Sequence, residues 1–412
     1  MKVLFVSPFL SYHGHIKRMG ALKAKSMADA ELDVTVMGFP LTYDLLVPGS
    51  RLRYISVQDG LSPKARARVE RWSRRFGNVW LFLVETFWVQ CASLRYAWRH
   101  KFPIVFICDI EPWLLLPLLI LAKILWRGPE VAGCVSFLFN AKSSMPHELK
   151  PQNSMRSPPW YTCVRVRLNY RAVMCLPRWM DIITDCKHTI QAQSLPAATH
   201  AIMEGCEKVS GQISCDDARE MLGIQKQSRV ILHFGVATPG KGTELLIEAL
   251  NGISPVFELY IVGKSGIYSR DSLLDGLPAE WRSHVHMESR YVTEAERSQY
   301  FSACNAVALP YRYGFPSCSG NFLDAIGFGK AILVSDQFMI GEMVRKYDLG
   351  ILFKPDDVND LRRALVEFTQ KPDTWFQGIA ERSKVIVEDF SLEKVGLRHR
   401  ELFERLVAEG KR

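Results

Sequence analysis

Glycine, lysine and small polar residues follow one another at 235–242 in an order that suits phosphate binding. The stretch reads GVATPGKG and comes directly after the apolar run RVILHF. Gly240 and Gly242 let the backbone approach a ligand closely, and Lys241 supplies a positive charge for a diphosphate. Gly235, the first residue of the stretch, is also expected to bind the ligand. The stretch therefore predicts a diphosphate cradle at the end of a strand.

The same stretch matches the G-x-x-x-x-G-K part of a nucleotide-hydrolase P-loop. Gly242 occupies the position at which a P-loop has the Ser or Thr that holds magnesium, and Thr243 lies one residue later. A second acidic strand for the metal is not evident in the sequence. The pattern favours a looser cradle without a metal and leaves a P-loop-like NTPase as an alternative.

A second stretch, YRYGFPSCSGNFLDAIGFGK, begins near Arg312 and leads through small residues into a predicted helix that starts at Ser319 or Gly320. The first amides of a helix lack intrahelical acceptors and form a natural anion site. The predicted donors are the amides of Gly320, Asn321 and Phe322. These amides and Lys241 would together hold one diphosphate.

Asp324 lies one turn into this predicted helix. A carboxylate repels a phosphate at contact distance, but it accepts hydrogen bonds from sugar hydroxyls, so Asp324 suits the ribose of a nucleotide. The alternative is structural, because an acidic residue near a helix start also stabilises the helix dipole.

The elements around these stretches alternate between short apolar runs and helical patterns. KVLFVSPF, DVTVMGFP and PIVFICD are strand-like in the first half, and RVILHFGV, FELYIVG, AVALPYR and AILVSD are strand-like in the second. Such alternation predicts parallel sheets with helices on both faces. We predict an α/β protein of two doubly wound domains, at 1–190 and 191–385, facing across a cleft, with an amphipathic helix at 386–412.

Composition excludes several classes. The 412 residues are 48% hydrophobic, which is typical of a globular protein, and the ten cysteines are scattered singly without zinc spacing. Free thiols suit a reducing cytoplasm. MKVLFVSPFL is interpreted as a first strand rather than a signal peptide. The apolar run at 113–126 is too short to span a membrane, which favours a buried helix over one lying on a bilayer.

Positive charge is concentrated in the first half. Residues 1–194 hold 26 Lys and Arg against 13 Asp and Glu, whereas the whole chain holds 52 against 43. The segment KARARVERWSRRFG at 64–77 adds a tryptophan to this excess. The tryptophans and the absence of a nucleic-acid motif favour an anionic membrane surface as a partner and argue against nucleic acid. Peripheral attachment at the cytoplasmic face of a membrane is the corresponding expectation.

Several motifs follow one another over residues 228–405, which are FGVATPGKGTELLIEAL, LYIVG, YFSACNAVALPYR, LDAIGFGKAILVSD and the final FSLEKV and LFERL. In this order, the motifs resemble the retaining glycosyltransferases of family 4. The resemblance implies the GT-B fold, a nucleotide-diphosphate sugar as donor, a lipid-linked or polysaccharide acceptor on the first domain, and transfer with retention of configuration. It implies neither a metal nor a cofactor other than the donor substrate.

The resemblance also assigns roles to single residues. Lys241 matches the phosphate-binding lysine of the family, and Asp324 matches the second glutamate of its Glu-x7-Glu pair, which is expected on the ribose. Gly14 lies in the loop after the first strand, which is expected to close over the donor diphosphate. Asn140 occupies the place of a histidine that the family often has near the reacting centre.

Two departures keep other functions open. Pro316 stands where the first glutamate of the pair would fall, and Val236 stands where the family has an arginine. Arg312 would have to replace the charge of that arginine. Without the first glutamate, a protein that binds a sugar nucleotide without catalysis stays an alternative. A sugar-nucleotide epimerase also needs a diphosphate cradle, but no convincing acid/base pair is evident.

Overall fold

The computed structural model of the chain describes residues 1–7, 15–38, 51–56, 71, 79–108, 115–120, 130–134, 175, 180–184, 199–209, 213–237, 239–264, 273, 275, 277–314 and 319–410. The chain divides into two compact units. The first comprises Met1–Glu204 and Leu392–Arg412, and the second comprises Gly205–Ser391.

The elements have the following bounds. The strands are β1 Lys2–Val6, β2 Asp33–Gly38, β3 Leu52–Ser56, β4 Ile104–Ile107, β5 Glu130–Cys134, β6 Asp181–Thr184, β7 Thr199–Ala201, β8 Val230–Phe234, β9 Glu258–Val262, β10 Val285–Glu288, β11 Ala306–Leu309, β12 Ala331–Ser335 and β13 Gly350–Phe353. The helices are α1 His15–Asp29, α2 Val79–Arg99, α3 Cys215–Leu222, α4 Thr243–Ala249, α5 Glu294–Ala303, α6 Gly320–Gly327, α7 Phe338–Tyr347, α8 Val358–Thr369, α9 Asp373–Asp389 and α10 Leu392–Gly410.

The first unit is built on a parallel sheet with the order β3-β2-β1-β4-β5-β6-β7. Its central strands are continuous apolar runs because both faces are covered, and residues 3–6 of β1 are fully buried. Leu4 and Val6 pack towards α2, whereas Val3 and Phe5 pack towards α1 and α10. Strand order reverses between β1 and β4, as in doubly wound folds.

The final helix belongs to the first unit. The helix predicted at 386–412 begins at Leu392 and packs along α1. Gly396 permits this approach, because a Cβ there would lie 1.9 Å from the carbonyl oxygen of Ser26. Strand β7 lies beyond the predicted domain boundary at residue 190 and still pairs with β6.

The second unit is a parallel sheet with the order β10-β9-β8-β11-β12-β13. The order reverses between β8 and β11, so the loops after these two strands flank the switch point at which doubly wound sheets bind ligands. The helices carry conventional end signals. At the start of α5, Thr293 and Glu296 form a capping box, and α3 ends at Gly223 in the left-handed region.

The apolar run at 113–126 is described only at residues 115–120, which are helical. Leu115 and Leu119 are buried there in the core beneath α2, with the i, i+4 spacing of one helix face. Among the helices in the described ranges, none has the length and hydropathy of a membrane span.

Candidate functional site

The predicted phosphate-binding residues come together at the carboxyl edge of the second sheet. The loop after β8 contains Gly235 and ends in a single 3-10 turn, Pro239–Lys241. The loop after β11 leads to Ser319 and the first turn of α6. Because β8 and β11 are adjacent strands, the two loops lie side by side at the switch point of the sheet.

Gly235, Lys241 and Asn321 form the centre of this site. Gly235 has a φ of +109°, and a Cβ placed on it would lie 2.9 Å from Nζ of Lys241 and 3.1 Å from the side-chain nitrogen of Asn321. The side-chain amide of Asn321 donates a hydrogen bond to the carbonyl oxygen of Phe234, the last residue of β8. The backbone conformation therefore favours glycine here, and the ends of two polar side chains lie against the space where a Cβ would be.

Lys241 lies beside an aromatic ring. In the portion of the chain that the structure describes, no carboxylate lies within salt-bridge distance of its Nζ. The nitrogen instead lies 5.8 Å from the centre of the Tyr311 ring. Burial lowers the pKa of Lys241 to about 8. A partly buried ammonium group without a carboxylate partner among the described residues is suited to an anionic ligand.

The start of α6 presents amides beside this lysine. Ser319 precedes the helix with a φ of +35°, and its hydroxyl lies 2.5 Å from that of Tyr311. The amide of Phe322 donates to the carbonyl oxygen of Ser319 at 2.9 Å, so it is not the open donor that the sequence predicted. The amides of Gly320 and Asn321 have no acceptor among the described residues.

Arg312 is engaged differently from the sequence prediction. Its Nε donates to a carboxylate oxygen of Glu244 at 3.0 Å, and its Nη1 donates to Asp356 at 3.0 Å. Two carboxylates thus compensate one guanidinium. Because both of its carboxylate partners come from the protein itself, Arg312 is arranged to hold the loop rather than to supply free charge to a diphosphate.

Asp324 is nearly buried and paired. Nη1 of Arg297, on α5, lies 3.0 Å from one of its carboxylate oxygens, and the two side chains are 12% and 10% exposed. Burial raises the pKa of the Cys206 thiol to about 12, and the negative charge of Asp324 adds to this rise. The ribose contact predicted for Asp324 therefore stays a prediction, with Arg297 as an anchor for the carboxylate.

His233 and Thr243 form a buried pair that the sequence reasoning missed. Burial lowers the pKa of His233 to about 4, so its imidazole is neutral. Nδ1–H donates to the carbonyl oxygen of Ala308 at 3.0 Å, and Nε2 lies 2.9 Å from the hydroxyl oxygen of Thr243, from which it accepts. A histidine inside the strand before a glycine loop was the available signal.

This pair bears on the P-loop alternative. The Thr243 hydroxyl, the nearest substitute for the P-loop Ser or Thr, is fully buried and donates to His233. A magnesium ligand would need that oxygen to face the phosphates. The small pocket that this pair lines behind Gly235 holds about 20 Å³, room for about one water molecule.

Other predicted features lie outside the described residues. These are Gly14, Asn140, Pro316 and most of the basic segment at 64–77. Within the described ranges, no group of three or more His, Cys, Asp or Glu side chains is arranged to hold a metal ion. The expectation of a metal-free reaction stays a prediction.

Residues 228–371, which include this whole arrangement, match the family described as Glycosyl transferases group 1. A GDP-mannose:glycolipid 4-beta-D-mannosyltransferase from Xanthomonas campestris pv. campestris is 27% identical over 165 residues, which cover 38% of this chain and 43% of that protein. An uncharacterized glycosyltransferase from Methanocaldococcus jannaschii is 21% identical over 283 residues, or 66% of this chain and 72% of that protein.

Solved structures resemble the whole chain and not only residues 228–371. Sucrose-phosphate synthase from Thermosynechococcus elongatus has a TM-score of 0.70 at 16% identity and covers 99% of this chain and 100% of that chain. WaaG, a glycosyltransferase involved in lipopolysaccharide biosynthesis, has a TM-score of 0.65 at 15% identity, covering 97% and 99%. Anabaena Alr3699/HepE in complex with UDP-glucose has a TM-score of 0.65 at 15% identity, covering 98% and 100%. These likenesses confirm the predicted α/β GT-B fold with two Rossmann-like domains.

Proposed function

We propose that this protein is a glycosyltransferase that takes a sugar from a nucleoside diphosphate and transfers it to a glycan or lipid-linked acceptor. The observation that carries the proposal is Lys241, a partly buried cation without a described carboxylate partner, beside Gly235 at the switch point of the second sheet. The glycosyl transferases group 1 match spans the same residues. Relatives whose names or titles contain GDP-mannose and UDP-glucose support a nucleotide-sugar donor.

Charge at the leaving group explains how this geometry would act. When the bond between the anomeric carbon and the diphosphate breaks, negative charge grows on the departing oxygen. Fixed donors aimed at such charge are commonly the largest single contribution to catalysis. In this proposal Lys241 and the amides of Gly320 and Asn321 are those donors, and the carboxylate of Asp324, anchored by Arg297, accepts from the ribose hydroxyls.

Retention of configuration depends on the resemblance to family 4 and is part of the same proposal. The first unit would bind the acceptor, and the roles that the resemblance implies for Gly14 and Asn140 stay predictions. The measurement that decides retention is the anomeric configuration of the product, read by NMR coupling constants. A product of opposite configuration to the donor would remove this part and leave sugar transfer itself in place.

A donor screen tests the central proposal. UDP-glucose, GDP-mannose and other nucleotide sugars are added to the full chain in a thermal-shift assay, because ligand binding stabilises by about 2.7 kcal/mol at a hundredfold excess over Kd. The stabilising donor is then incubated with glycan and lipid-linked acceptors, and the product is identified by mass. Stabilisation without any product would favour a non-catalytic binding protein. Magnesium-dependent phosphate release from ATP without acceptor would favour an NTPase.

Peripheral membrane binding is proposed as a second property, on the exposed face of α2. Phe87, Trp88 and Trp98 are 42%, 37% and 46% exposed there, and Arg95 and Arg99 are exposed beside them. Aromatic and basic side chains together suit an anionic bilayer interface. Co-sedimentation with phosphatidylglycerol vesicles should fall steeply as salt rises tenfold. Binding that does not change with salt would contradict this proposal.

A further inference from the structure

A cavity opens at the amino edge of the first sheet, on the side that faces α2. Its volume is about 420 Å³, which falls in the range of small-molecule sites. The walls combine charged residues at the starts of three strands with the last turn of α2. The lining residues include Lys2, Asp33, Thr35, Arg51, Arg53 and Tyr96.

Strand register explains why these side chains converge. Lys2 is paired with Asp33, and Thr35 is paired with Arg53, in neighbouring parallel strands. Alternate residues of a strand share a face, so Lys2 lies on the same face as Leu4, which packs towards α2. The starts of β1, β2 and β3 therefore place Lys2, Asp33, Thr35 and Arg53 on one wall.

The cavity carries more positive than negative charge. Lys2, Arg51 and Arg53 are cations, and Asp33 is the one carboxylate that lines it. Arg51 donates to the backbone carbonyl of Glu31 at 3.0 Å. As far as the structure describes the chain, none of the three cations lies within salt-bridge distance of a carboxylate. Uncompensated cations around a concave surface attract an anion.

Aromatic side chains form part of the cavity wall. The ring of Tyr96 lies 4.1 Å from the ring of His100 and 5.9 Å from the ring of Phe102, centre to centre. Thr35 and Asp33 add a hydroxyl and a carboxylate to the lining. Such a wall covers the apolar face of a sugar ring, while carboxylate and hydroxyl oxygens bind its hydroxyl groups.

We propose that this cavity binds a phosphorylated sugar or cyclitol, with the phosphate held by Lys2, Arg51 and Arg53 and the ring against Tyr96. Substrates of doubly wound sheets bind at the carboxyl ends of the strands. The cavity lies at the opposite, amino edge, so its ligand anchors or regulates the protein rather than reacting. The phosphate can belong to a soluble sugar phosphate or to a lipid headgroup, and the chemistry recognised is the same.

Calorimetry with glucose 6-phosphate on the full chain tests the site. Lys2→Gln and Arg53→Gln should each weaken binding by about tenfold or more, because each removes a charge-assisted hydrogen bond. Lys25→Gln is the matched control, since this exposed lysine of α1 lies outside the cavity, and it should leave the affinity within about twofold. Asp33→Asn should tighten the binding of inorganic phosphate, because it removes the carboxylate that repels the anion.

Vesicles that contain phosphatidylinositol form the second arm of the experiment. Binding of glucose 6-phosphate that depends on Arg53 supports the site and identifies a soluble ligand. Binding that depends on Arg53 only on these vesicles supports the site and identifies a lipid headgroup. The proposal is overturned if neither ligand binds in an Arg53-dependent way, or if Lys25→Gln weakens binding as much as Lys2→Gln. Unchanged thermal unfolding of each variant confirms that the fold is intact.

Discussion

Lys241 and Arg312 lie in adjacent loops at the same edge of the second sheet, yet they are surrounded in opposite ways. Arg312 contacts the carboxylates of Glu244 and Asp356. Lys241 has no carboxylate partner among the described residues and lies near the ring of Tyr311. Both basic residues were candidates for a diphosphate contact in the sequence, and their surroundings in the structure distinguish them. A compensated cation holds structure, whereas an uncompensated one is open to a ligand.

Arg312 also helps to fix the position of Lys241. The backbone amide of Arg312 donates to the carbonyl oxygen of Gly240 at 3.0 Å, one residue before Lys241. Gly242, with a φ of +65°, lies so close to the second loop that a Cβ would be 1.9 Å from the carbonyl oxygen of Pro310. Arg312 and these backbone contacts join the two loops and fix where the lysine lies. We therefore describe Arg312 as a positioning residue.

Replacing Lys241 should have the largest effect. Lys241→Met is expected to lower kcat by about 100-fold to 1000-fold, the usual loss when one fixed donor to a developing negative charge is removed. Steady-state kinetics with the donor found in the screen gives the measurement. Lys346→Met is the matched control, because this exposed lysine also lies over a tyrosine ring, that of Tyr347 at 4.7 Å. Equal loss in both variants would show that the difference between the two cations has no functional meaning.

Replacing Arg312 should affect stability more than chemistry. Arg312→Gln leaves the carboxylates of Glu244 and Asp356, whose side chains are 28% and 12% exposed, without their cation. We expect a loss of about 2 kcal/mol in the free energy of unfolding, measured by urea denaturation, and a fall in kcat of about tenfold or less.

A double variant sharpens this expectation. Arg312→Gln combined with Glu244→Gln should recover part of the lost stability, because one of the two unpaired carboxylates is then removed. If Arg312→Gln lowers kcat as far as Lys241→Met while the unfolding free energy stays unchanged, Arg312 contacts the diphosphate after all.

The pH dependence should give the smallest effect. Burial lowers the pKa of Lys241 to about 8, so the ammonium loses its proton as the pH rises through that value. The value of kcat/KM for the donor should therefore fall about fourfold between pH 7 and pH 8.5. Lys241→Arg keeps its charge and should remove this fall, whatever its absolute rate. A profile that is the same in both proteins would assign the titration to another group.

The lowered pKa of Lys241 also makes the free energy of unfolding depend on pH. Between pH 8 and the ordinary lysine range, the unfolded chain holds the proton of Lys241 and the folded chain does not. The contribution of this group to stability therefore rises with pH across that window. Activity and stability should move in opposite directions there, which separates loss of the charge from unfolding.

The fold could be predicted well from the sequence. Continuous apolar runs separated by helical patterns identified strands such as β1, β4, β8 and β12, because a parallel sheet buried on both faces needs such runs. The glycine loop and the start of α6 were also identified, since φ > 0 and open helix amides require particular residues. Strand order was not predictable, because it depends on contacts between residues far apart in the chain.

Roles at the site were predicted only in part. An arginine at position 312, directly after β11, was compatible with a phosphate contact. The residues next to it in the sequence did not show that Asp356, in the loop after β13, would contact it. The sequence likewise did not show that Asp324 would pair with Arg297, or His233 with Thr243. Each partner lies at a sequence distance at which local patterns carry no information.

The sequence by itself determined the class of fold, the position of the glycine loop with Lys241, and the charge excess of the first half, because each follows from local residue types and their spacing. Only the tertiary structure decided which cations are neutralised and which are left to a ligand. The reason is physical: the charge available at a point depends on every carboxylate within a few ångströms, and folding, not sequence order, brings those carboxylates there.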